Sequence, residues 1–282
     1  MNAIALNHIC KSFGSFAIQD LTLEVPEGTI CGLVGENGAG KSTTIRLLMN
    51  ALRPDSGTAT VLGVDTSSPE FLAVKEDIGV VLDESSFHDA LKVKDVDKIL
   101  SRVYSQWDSA LFRDYCRKYS LPDDKTVKAF SRGMKMKLSI AAALSHHPKL
   151  LLLDEATGGL DPVVLDEFLN FIQDEEHAIL LSSHITSDLE KCADYIVYLH
   201  QGKITLQGSK DDLLGSYGRL VCTRADLEYV DPKLLHGTRV SRFSCEALVR
   251  DRHAFSVRSP RLTVDPVTLE EIMVFTVRGD SK

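Results

Sequence analysis

The chain has 282 residues, enough for about two domains or subdomains around a large buried core. Its 32 lysines and arginines stand against 40 aspartates and glutamates, a net charge of −8, and this acidic balance argues against nucleic acid as a principal partner. The first residues lack a signal-peptide pattern, no apolar run approaches the ~18 residues of a spanning helix, and six scattered cysteines predict reduced thiols in a cytosolic protein.

The chain opens with a pattern typical of antiparallel strands. Residues 3 to 30 carry apolar side chains at alternate positions, interrupted by two glycine-containing turns. The apolar run Ile30-Cys31-Gly32-Leu33-Val34 then predicts a buried strand. After a glycine-rich loop, apolar residues at helical spacing from Ile45 predict a helix that ends before Pro54. The resulting order is strand, glycine-rich loop, helix.

Residues 84 to 148 change to helical periodicity and predict a helical insert. Two apolar stripes carry that prediction, Val93, Val96, Ile99, Leu100 and Val103 in the first and Leu111, Phe112, Tyr115 and Tyr119 in the second. A further helix is predicted from Arg132 to His147, with Ser131 as its N-cap. The adjacent residues His146 and His147 do not share a helix face, so we interpret them as structural residues and not as metal ligands.

Short apolar strands return after the insert, at residues 150–153, 179–181 and 195–199, and predict that parallel α/β architecture resumes. A helix is expected between the last two strands. The spacing of Ser187 and Glu190 predicts a capping box at the start of that helix.

The last part of the chain has a mixed pattern. A hairpin around Gln201-Gly202 and Gly208 is expected to close this α/β part of the chain. Residues 215 to 282 then form a tail that ends in a predicted helix containing Leu269, Ile272 and Met273.

The most specific motif is Gly35-Glu36-Asn37-Gly38-Ala39-Gly40-Lys41-Ser42, which matches GxxxxGK[ST] between a predicted strand and a predicted helix. Its glycines allow successive backbone N–H groups to face a phosphate at the helix N-terminus. Lys41 is expected to neutralise the terminal phosphates, and the hydroxyl of Ser42 is expected to bind Mg²⁺. The motif therefore predicts a P-loop that binds a nucleotide.

Two carboxylates, Asp154 and Glu155, follow the apolar strand Leu150 to Leu153. Strand ends in such sheets open onto the ligand crevice, so Asp154 suits Mg²⁺, directly or through water, and Glu155 suits orientation or deprotonation of an attacking water. Taken alone, the acidic pair is equally well explained as a helix cap. The presence of Lys41 favours the catalytic interpretation.

These residues resemble the ATP-binding subunits of ABC transporters, and the resemblance covers residues 3 to 208. Three further segments match in order: Phe130-Ser131-Arg132-Gly133-Met134 resembles the ABC signature, Gly159-Leu160-Asp161 the D-loop, and His184 the switch histidine. The resemblance implies an α/β P-loop NTPase fold with a RecA-like parallel sheet core, an N-terminal antiparallel β layer, a helical insert at about 84–148 and a small C-terminal α+β tail. The expected units are residues 1–208 and an extension, residues 209–282, that is regulatory, contacts a dimer partner or docks on the permease.

The resemblance also implies the functional residues. Catalysis is assigned to Lys41, Glu155 and His184, and Mg²⁺ binding to Ser42, Asp83 and Asp154. The nucleotide-binding residues are Phe13, Gly35, Glu36, Asn37, Gly38, Ala39, Gly40, Lys41, Ser42, Thr43, Thr44, Ser131, Gly133 and Asp161. The ring of Phe13 matches the aromatic that stacks on adenine in relatives, although an aromatic beside a glycine turn is equally often part of the core. Ser131 is implied to serve the nucleotide of a second copy.

The sequence departs from the family pattern at three positions. Asp83 stands where a glutamine is usual, and its carboxylate is a more direct Mg²⁺ ligand than an amide. Arg132 replaces the first glycine of the signature, which adds a cation near the partner's phosphates or in solvent, and Ala156 replaces a common proline. We expect Asp83 to transmit the nucleotide state to the helical insert.

The function predicted from this resemblance is an ATP-hydrolysing subunit that works with ATP and Mg²⁺ at the cytoplasmic face of the cell membrane. Its expected partners are separate permease chains and a second ATP-binding subunit, in a homodimer or a related heterodimer. The segments IGVVLDE, FSRGMKMKLSIA and LLLLDEATGGLDP look more like bacterial exporters of antimicrobial peptides and phenol-soluble modulins than importers. The alternatives are a soluble ABC ATPase that acts on DNA or ribosomes, disfavoured by the missing heptad arms, and a subunit used for sensing or resistance.

Overall fold

A computed structural model describes residues 1–83, 86–157, 160, 164–166, 168–169, 177–241 and 244–278. The strands are β1 Asn2–Phe13, β2 Phe16–Pro26, β3 Ile30–Val34, β4 Ser56–Val61, β5 Val64–Asp65, β6 Ile78–Val81, β7 Leu150–Asp154, β8 Ala178–Ser183, β9 Tyr195–His200, β10 Lys203–Ser209, β11 Gly218–Cys222, β12 Leu235–Val240, β13 Cys245–Val249 and β14 Val264–Asp265. The α-helices are α1 Lys41–Leu48, α2 Phe71–Val74, α3 Val93–Leu100, α4 Ser109–Lys118, α5 Arg132–Leu144, α6 Thr186–Cys192, α7 Lys210–Ser216, α8 Arg224–Glu228, α9 Arg252–Arg258 and α10 Leu269–Arg278, and 3₁₀ turns span Lys75–Asp77, Val127–Ala129 and Pro232–Leu234.

The central sheet has the strand order β10-β9-β3-β8-β7-β6. Neighbouring strands from β9 to β6 pair in parallel, and only the edge pair β10 and β9 is antiparallel. The carboxyl ends of β3, β7 and β8 therefore meet at one edge of the sheet, where an α/β fold binds its ligand. This arrangement brings the P-loop, Asp154-Glu155 and His184 to the same place.

The central sheet is covered on both faces, which explains why its strands are apolar throughout. Along β7, Leu151 and Leu153 pack into a cluster with the helical insert, whereas Leu150 and Leu152 pack into a second cluster with the N-terminal strands. Each residue of this strand is almost completely buried. The side chains of this apolar strand therefore alternate between the two faces of the sheet, and both faces are covered.

The N-terminal layer is an antiparallel sheet in the order β2-β1-β4-β5, as predicted. The hairpin predicted at Gln201-Gly202 joins β9 to β10, and both of its residues have positive φ, 47° and 77°. A Cβ on Gly202 would lie 1.8 Å from the carbonyl oxygen of Ala17 in β2. This hairpin therefore needs glycine because it packs directly against the N-terminal layer.

The helical insert is confirmed, but two of its helices are shorter than predicted. The first helix ends at Leu100, leaving Ile99 45% and Val103 59% exposed, so the apolar stripe contacts the core chiefly through Val93 and Val96. The signature helix α5 ends at Leu144 and not at His147. The physical reason is local, since His147 has a positive φ of 52° and precedes Pro148, which cannot continue a helix.

The capping box predicted from Ser187 and Glu190 is wrong. The helix begins at Thr186, so Ser187 lies inside its first turn. The carboxylate of Glu190 instead accepts a hydrogen bond from the backbone N–H of Leu269, 79 residues further along the chain. A tertiary contact replaced the local one that the spacing suggested.

The C-terminal extension contains an antiparallel sheet in the order β12-β13-β11-β14. A small apolar cluster that includes Leu220, Ala247 and Phe255 forms its own core. The predicted last helix is present as α10, and its residues Leu269 and Ile272 belong to the main core cluster. The extension is therefore anchored to the ATPase part through α10.

Within the described ranges, no helix is both long enough and apolar enough to cross a lipid bilayer. The six cysteines are all unpaired thiols. Burial raises the pKa of Cys31, Cys116 and Cys192 to about 12, which fits the interpretation of these residues as small core hydrophobes.

Candidate functional site

The P-loop joins β3 to α1 and brings its backbone close to neighbouring strands. Gly40 caps α1 with a φ of 115°, and a Cβ there would lie 2.5 Å from Cδ1 of Ile18. A Cβ on Gly35 would lie 2.3 Å from the carbonyl oxygen of Leu199. Only glycine fits both positions, and the open first turn of α1 offers its N–H groups to an anion.

Lys41 lies deep in the site, with only 5% of its side chain exposed. Its Nζ donates to the carbonyl oxygens of Gly35, at 2.7 Å, and Glu36, at 3.3 Å, and lies 3.0 Å from Oε1 of Glu155. Two of the three N–H donors of this ammonium bond backbone carbonyls, whereas the contact with Glu155 is an ion pair whose Oε1 accepts no hydrogen bond. The structure thus joins two of the predicted catalytic residues directly.

Glu155 has a backbone conformation that is unusual for a residue other than glycine. Its φ is 52°, in the left-handed region, and such residues cluster at functional sites. Its backbone N–H donates to the carbonyl oxygen of Ser182 at 3.1 Å and to Oγ of the same residue at 3.2 Å. The adjacent strand β8 therefore holds the turn that carries the carboxylate.

Ser182 also holds Asp154. Its Oγ donates to Oδ1 of Asp154 at 2.6 Å, and both residues are buried. Sequence reasoning missed Ser182, although the polar pair Ser182-Ser183 at the end of an apolar strand was a signal that could have identified it. A single hydroxyl thus connects the two predicted acidic residues to the neighbouring strand.

His184 completes the predicted catalytic group. Its Nδ1 lies 2.6 Å from Oε2 of Glu155, and because an ionised carboxylate only accepts hydrogen bonds, Nδ1 is the protonated nitrogen in this contact. Half of the His184 side chain is exposed, whereas Glu155 is 13% exposed. The imidazole therefore connects the buried carboxylate to the mouth of the site.

An open cleft of about 400 Å³ borders these side chains. Its lining combines predicted residues with one that was not predicted: Phe16, Asn37, Gly38, Gly40, Lys41, Ser42, Thr43, Asp83 and Glu155. The oxygen donors of Ser42 and Asp83 thus share one cleft with Lys41. Nowhere in the described part of the chain do three or more His, Cys, Asp or Glu side chains form a metal site of their own. This donor set fits Mg²⁺, which proteins hold with one or two side-chain oxygens and the phosphates of a substrate.

One aromatic ring borders the P-loop, and a second ring stacks on the first. Phe13, the predicted adenine-stacking residue, is 40% exposed, and its ring centroid lies 6.3 Å from that of Phe16. Phe16, which the sequence analysis missed, lines the cleft, and its Cζ would lie 3.1 Å from a Cβ on Gly40. The ring that supports the loop is therefore Phe16, and the ring with an exposed face is Phe13.

The remaining P-loop residues fall into two groups. Glu36 and Asn37 are exposed at the loop tip, whereas Ala39 is buried and donates its N–H to the carbonyl oxygen of Glu36 at 3.1 Å. Thr44 is fully buried, and its hydroxyl donates to the carbonyl oxygen of Gly40 at 3.0 Å. Ala39 and Thr44 thus support the shape of the loop, and the nucleotide contact of Thr44 stays a prediction.

The signature segment lies at the start of α5. The N-cap prediction is confirmed, since Oγ of Ser131 accepts a hydrogen bond from the N–H of Met134 at 3.2 Å. Ser131 and Gly133 are not among the described residues that line the cleft around Lys41. The predicted D-loop residues Gly159 and Asp161 lie outside the described residues.

Two of the three departures from the family pattern are paired with each other. The guanidinium of Arg132 donates to Oδ1 of Asp83, across 49 residues of sequence. Asp83 thus borders the nucleotide cleft on one side and the start of α5 on the other. The sequence located both changes but did not indicate that they meet.

His146 has a structural environment. Its ring stacks on Tyr104 with centroids 4.0 Å apart, and Nδ1 lies 3.0 Å from the carbonyl oxygen of Glu76. Burial lowers the pKa of His146, so the neutral ring is favoured in the folded chain. These contacts agree with the interpretation of His146 as a residue of the fold.

Comparison with known proteins agrees with this geometry. The family model described as ABC transporter matches residues 18–158. The chain is 34% identical over 209 residues to the ABC transporter ATP-binding protein NatA of Bacillus subtilis, covering 71% of this chain and 85% of that protein. It is 33% identical over 214 residues to the lantibiotic transport ATP-binding protein SrtF of Streptococcus pyogenes, covering 74% of this chain and 91% of that protein.

A solved structure of an ATP-binding subunit of an ABC transporter has the same fold. It matches with a TM-score of 0.68 and 26% identity, covering 75% of this chain and 91% of that one. The alternative of an ATPase that acts on DNA or ribosomes gains no support from these relatives, whose names describe transport proteins. The chain belongs to the ABC transporter family of ATP-binding subunits, a family of ATPases.

Proposed function

We propose that this chain binds ATP with Mg²⁺, hydrolyses it and powers export through separate membrane subunits. The observation that carries the proposal is the junction of Lys41, Glu155 and His184 at the carboxyl ends of β3, β7 and β8. Contacts of 3.0 Å and 2.6 Å join the carboxylate of Glu155 to the ammonium and to the imidazole. Hydrolysis of a phosphoanhydride needs a base, a cation and a hydrogen-bonding side chain beside a phosphate-binding loop, and these three residues supply them.

Lys41 binds the terminal phosphates of the nucleotide, and this binding changes the contact between Lys41 and Glu155. Its ammonium bonds the carbonyl oxygens of Gly35 and Glu36 and forms an ion pair with Oε1 of Glu155, so a terminal phosphate that binds Lys41 competes with that ion pair. Exchange of Glu155 for phosphate leaves one carboxylate oxygen free to accept a hydrogen bond from water. Nucleotide binding thereby prepares the base.

In the hydrolytic step, the water oxygen bonds to the γ-phosphorus while the bond to the β–γ bridging oxygen breaks, which releases ADP and phosphate. Glu155 orients this water and accepts its proton. His184, held by Oε2 of the same carboxylate, contacts the γ-phosphate from the mouth of the site. The strained turn at Glu155, supported by Ser182, keeps the carboxylate in position.

Ser42, Asp154 and Asp83 are the residues proposed to hold Mg²⁺. Bound there, the ion would neutralise charge on the terminal phosphates. Ser182 positions one oxygen of Asp154 through its 2.6 Å hydrogen bond. Asp83 lines the cleft while its carboxylate is paired with Arg132, so binding of the ion by Asp83 would compete with that pair.

The remaining predicted residues are proposed to act in a dimer. Phe13 stacks on the adenine with its exposed face, while Ser131 and Gly133, at the N-terminus of α5, serve the nucleotide held by a second copy. Asp161 is proposed to lie at the same interface. Each site is then completed by the partner, in a homodimer or in a pair with a related ATPase.

Export is proposed because SrtF, by its name, serves lantibiotic transport, and because the motifs resemble those of peptide exporters. The membrane path is supplied by separate permease subunits, which hold this chain at the cytoplasmic face of the membrane. ATP-driven closure and hydrolytic opening of the dimer would alternate the access of the permease to the two sides.

Co-purification from the native host tests this function. The tagged chain is extracted from membranes with mild detergent, its stoichiometric partners are identified, and Mg²⁺-dependent phosphate release is measured with and without them. A multi-spanning partner that changes the ATPase rate supports the proposal, and a tagged Lys41→Ala chain is the inactive control. Recovery with ribosomal or DNA-repair proteins alone, or no ATP hydrolysis by the wild type, would overturn it.

A further inference from the structure

The C-terminal extension contacts the segment that carries His184. Helix α6 begins two residues after His184, and its Glu190 Oε1 accepts the N–H of Leu269 at 2.6 Å. Leu269 is the first residue of α10, so the carboxylate sits at the positive end of that helix, where an anion is favoured. This contact joins the switch-histidine segment to the last helix of the extension.

Both sides of this contact are anchored. On the α10 side, Oγ1 of Thr268 accepts the N–H of Glu271 at 3.2 Å, and Oε2 of Glu271 accepts the N–H of Thr268 at 3.0 Å. Nη1 of Arg219 in β11 lies 2.8 Å from Oε1 of Glu271. On the α6 side, Nζ of Lys210 donates to the carbonyl oxygen of Glu190 at 2.9 Å. The extension thus holds Glu190 by its side chain and its backbone.

Apolar packing supports the same junction. Leu189 and Cys192 of α6 and Leu269 and Ile272 of α10 are almost completely buried and belong to one cluster. A groove of about 420 Å³ lies beside them. One wall is His184, Ile185, Thr186 and Ser187, the other is Glu270, Met273, Val274 and Val277, and Glu36 of the P-loop and Tyr198 complete the lining. Movement of α10 would therefore be transmitted to the residues that follow His184.

We propose that Glu190 is a positioning residue for His184, and that through it the C-terminal extension sets the turnover rate of the ATPase. This inference rests on the proposed function and deepens it. Glu190 does not touch the P-loop, so it acts on the imidazole by fixing the start of α6 and not on nucleotide binding. The extension then tunes the hydrolytic step while the affinity for ATP stays the same.

The first test is a steady-state comparison of Glu190→Ala and Glu190→Gln with the wild type in the full chain. We expect Glu190→Ala to lower kcat about tenfold with an unchanged KM for ATP. Glutamine still accepts from the N–H of Leu269 but lacks the charge, so Glu190→Gln should recover most of the rate. Glu228→Ala, an exposed acidic residue of α8 in the same extension, is the matched control and should keep the wild-type rate.

The second test is a double-mutant cycle with His184→Ala. If Glu190 acts through the histidine, adding Glu190→Ala to His184→Ala lowers the residual turnover no further. Should that residual turnover be too small to measure, hydrogen exchange replaces it: Glu190→Ala should speed exchange over residues 184–192 and leave residues 35–42 unchanged.

A wild-type kcat in Glu190→Ala, an equal loss of rate in both backgrounds, or unchanged exchange over residues 184–192 would overturn the inference. In each of these outcomes the wild type still hydrolyses ATP. If the wild type does not hydrolyse ATP, the proposed function itself fails, and the two failures are therefore distinguishable.

Discussion

Two ion pairs stand at the cleft around Lys41, the inner one with both residues beside it and the outer one through Asp83, and they differ mainly in burial. The inner pair, Lys41 and Glu155, is 5% and 13% exposed, whereas the outer pair, Arg132 and Asp83, is 64% and 48% exposed. The side chains of the inner pair contact protein atoms in place of water, so the fold determines their geometry. The outer pair is screened by solvent and contributes little to stability.

This difference suits two kinds of task. A buried carboxylate held by a strained turn and two partners is preorganised for chemistry, at a cost that the surrounding strands offset. An exposed pair can exchange partners at little cost, which suits a group that must respond to nucleotide. We therefore expect changes at the inner pair to affect the ATPase rate and changes at the outer pair to affect the response to nucleotide.

The largest effect is expected from Glu155→Gln, which removes the proton acceptor but keeps the shape of the side chain. ATP binding should persist, while phosphate release falls by about 10² to 10⁴-fold, the contribution typical of a general base. Binding without turnover should accumulate the closed dimer, visible by gel filtration with ATP and Mg²⁺. Glu228→Gln is the control, and normal turnover in Glu155→Gln would remove this residue from the mechanism.

A substantial effect is expected from Ser182→Ala, which removes a buried hydroxyl bonded to Asp154 and to the N–H of Glu155. Leaving buried polar groups unpaired costs about 1–3 kcal/mol, so the free energy of unfolding should fall by that amount. The ATPase rate should fall as well, because the turn at Glu155 loses support. Urea unfolding and phosphate release measure the two effects, and Ser241→Ala, on the exposed surface of the extension, is the comparison variant.

A smaller effect on stability is expected from Asp83→Ala at the outer pair. An exposed ion pair contributes about 0–1 kcal/mol, so unfolding should change little. The Mg²⁺ concentration that half-activates the ATPase should rise, and coupling to transport should weaken, because Asp83 is proposed to reach the ion and the insert. An unchanged Mg²⁺ response together with unchanged transport would contradict this role.

The smallest effect is expected from the buried ring of His146. Since burial lowers its pKa in the folded chain, the unfolded chain binds the proton more readily, and stability falls as the pH drops below about 6.5. His146→Phe keeps a ring against Tyr104 but cannot take up a proton. The loss of unfolding free energy between about pH 7.5 and pH 5.5 should be smaller in this variant. His253→Gln, a change at an exposed histidine of α9, should keep the wild-type pH dependence.

Local patterns predicted much of the fold. The strands at Ile30–Val34 and at 150–153 were predicted close to their observed bounds, and the last helix contains the three residues predicted for it. Errors arose where a tertiary contact outweighed a local signal. Glu190 had the spacing of a capping box, but its carboxylate accepts the N–H of Leu269. The helix predicted from the apolar stripe at Val93 ends at Leu100, because only the first part of the stripe reaches the core.

The sequence by itself determined the motifs, the family and the order of the elements, because these depend on a few adjacent residues and on the period of apolar side chains. Only the tertiary structure decided which side chains meet: Lys41 with Glu155, Ser182 with Asp154, Asp83 with Arg132, and Glu190 with Leu269. These partners are separated by 28 to 114 positions, and what brings them together is the order of strands in a sheet and the packing of helices on it. No local pattern encodes such distances, since each depends on how the whole chain buries its apolar surface.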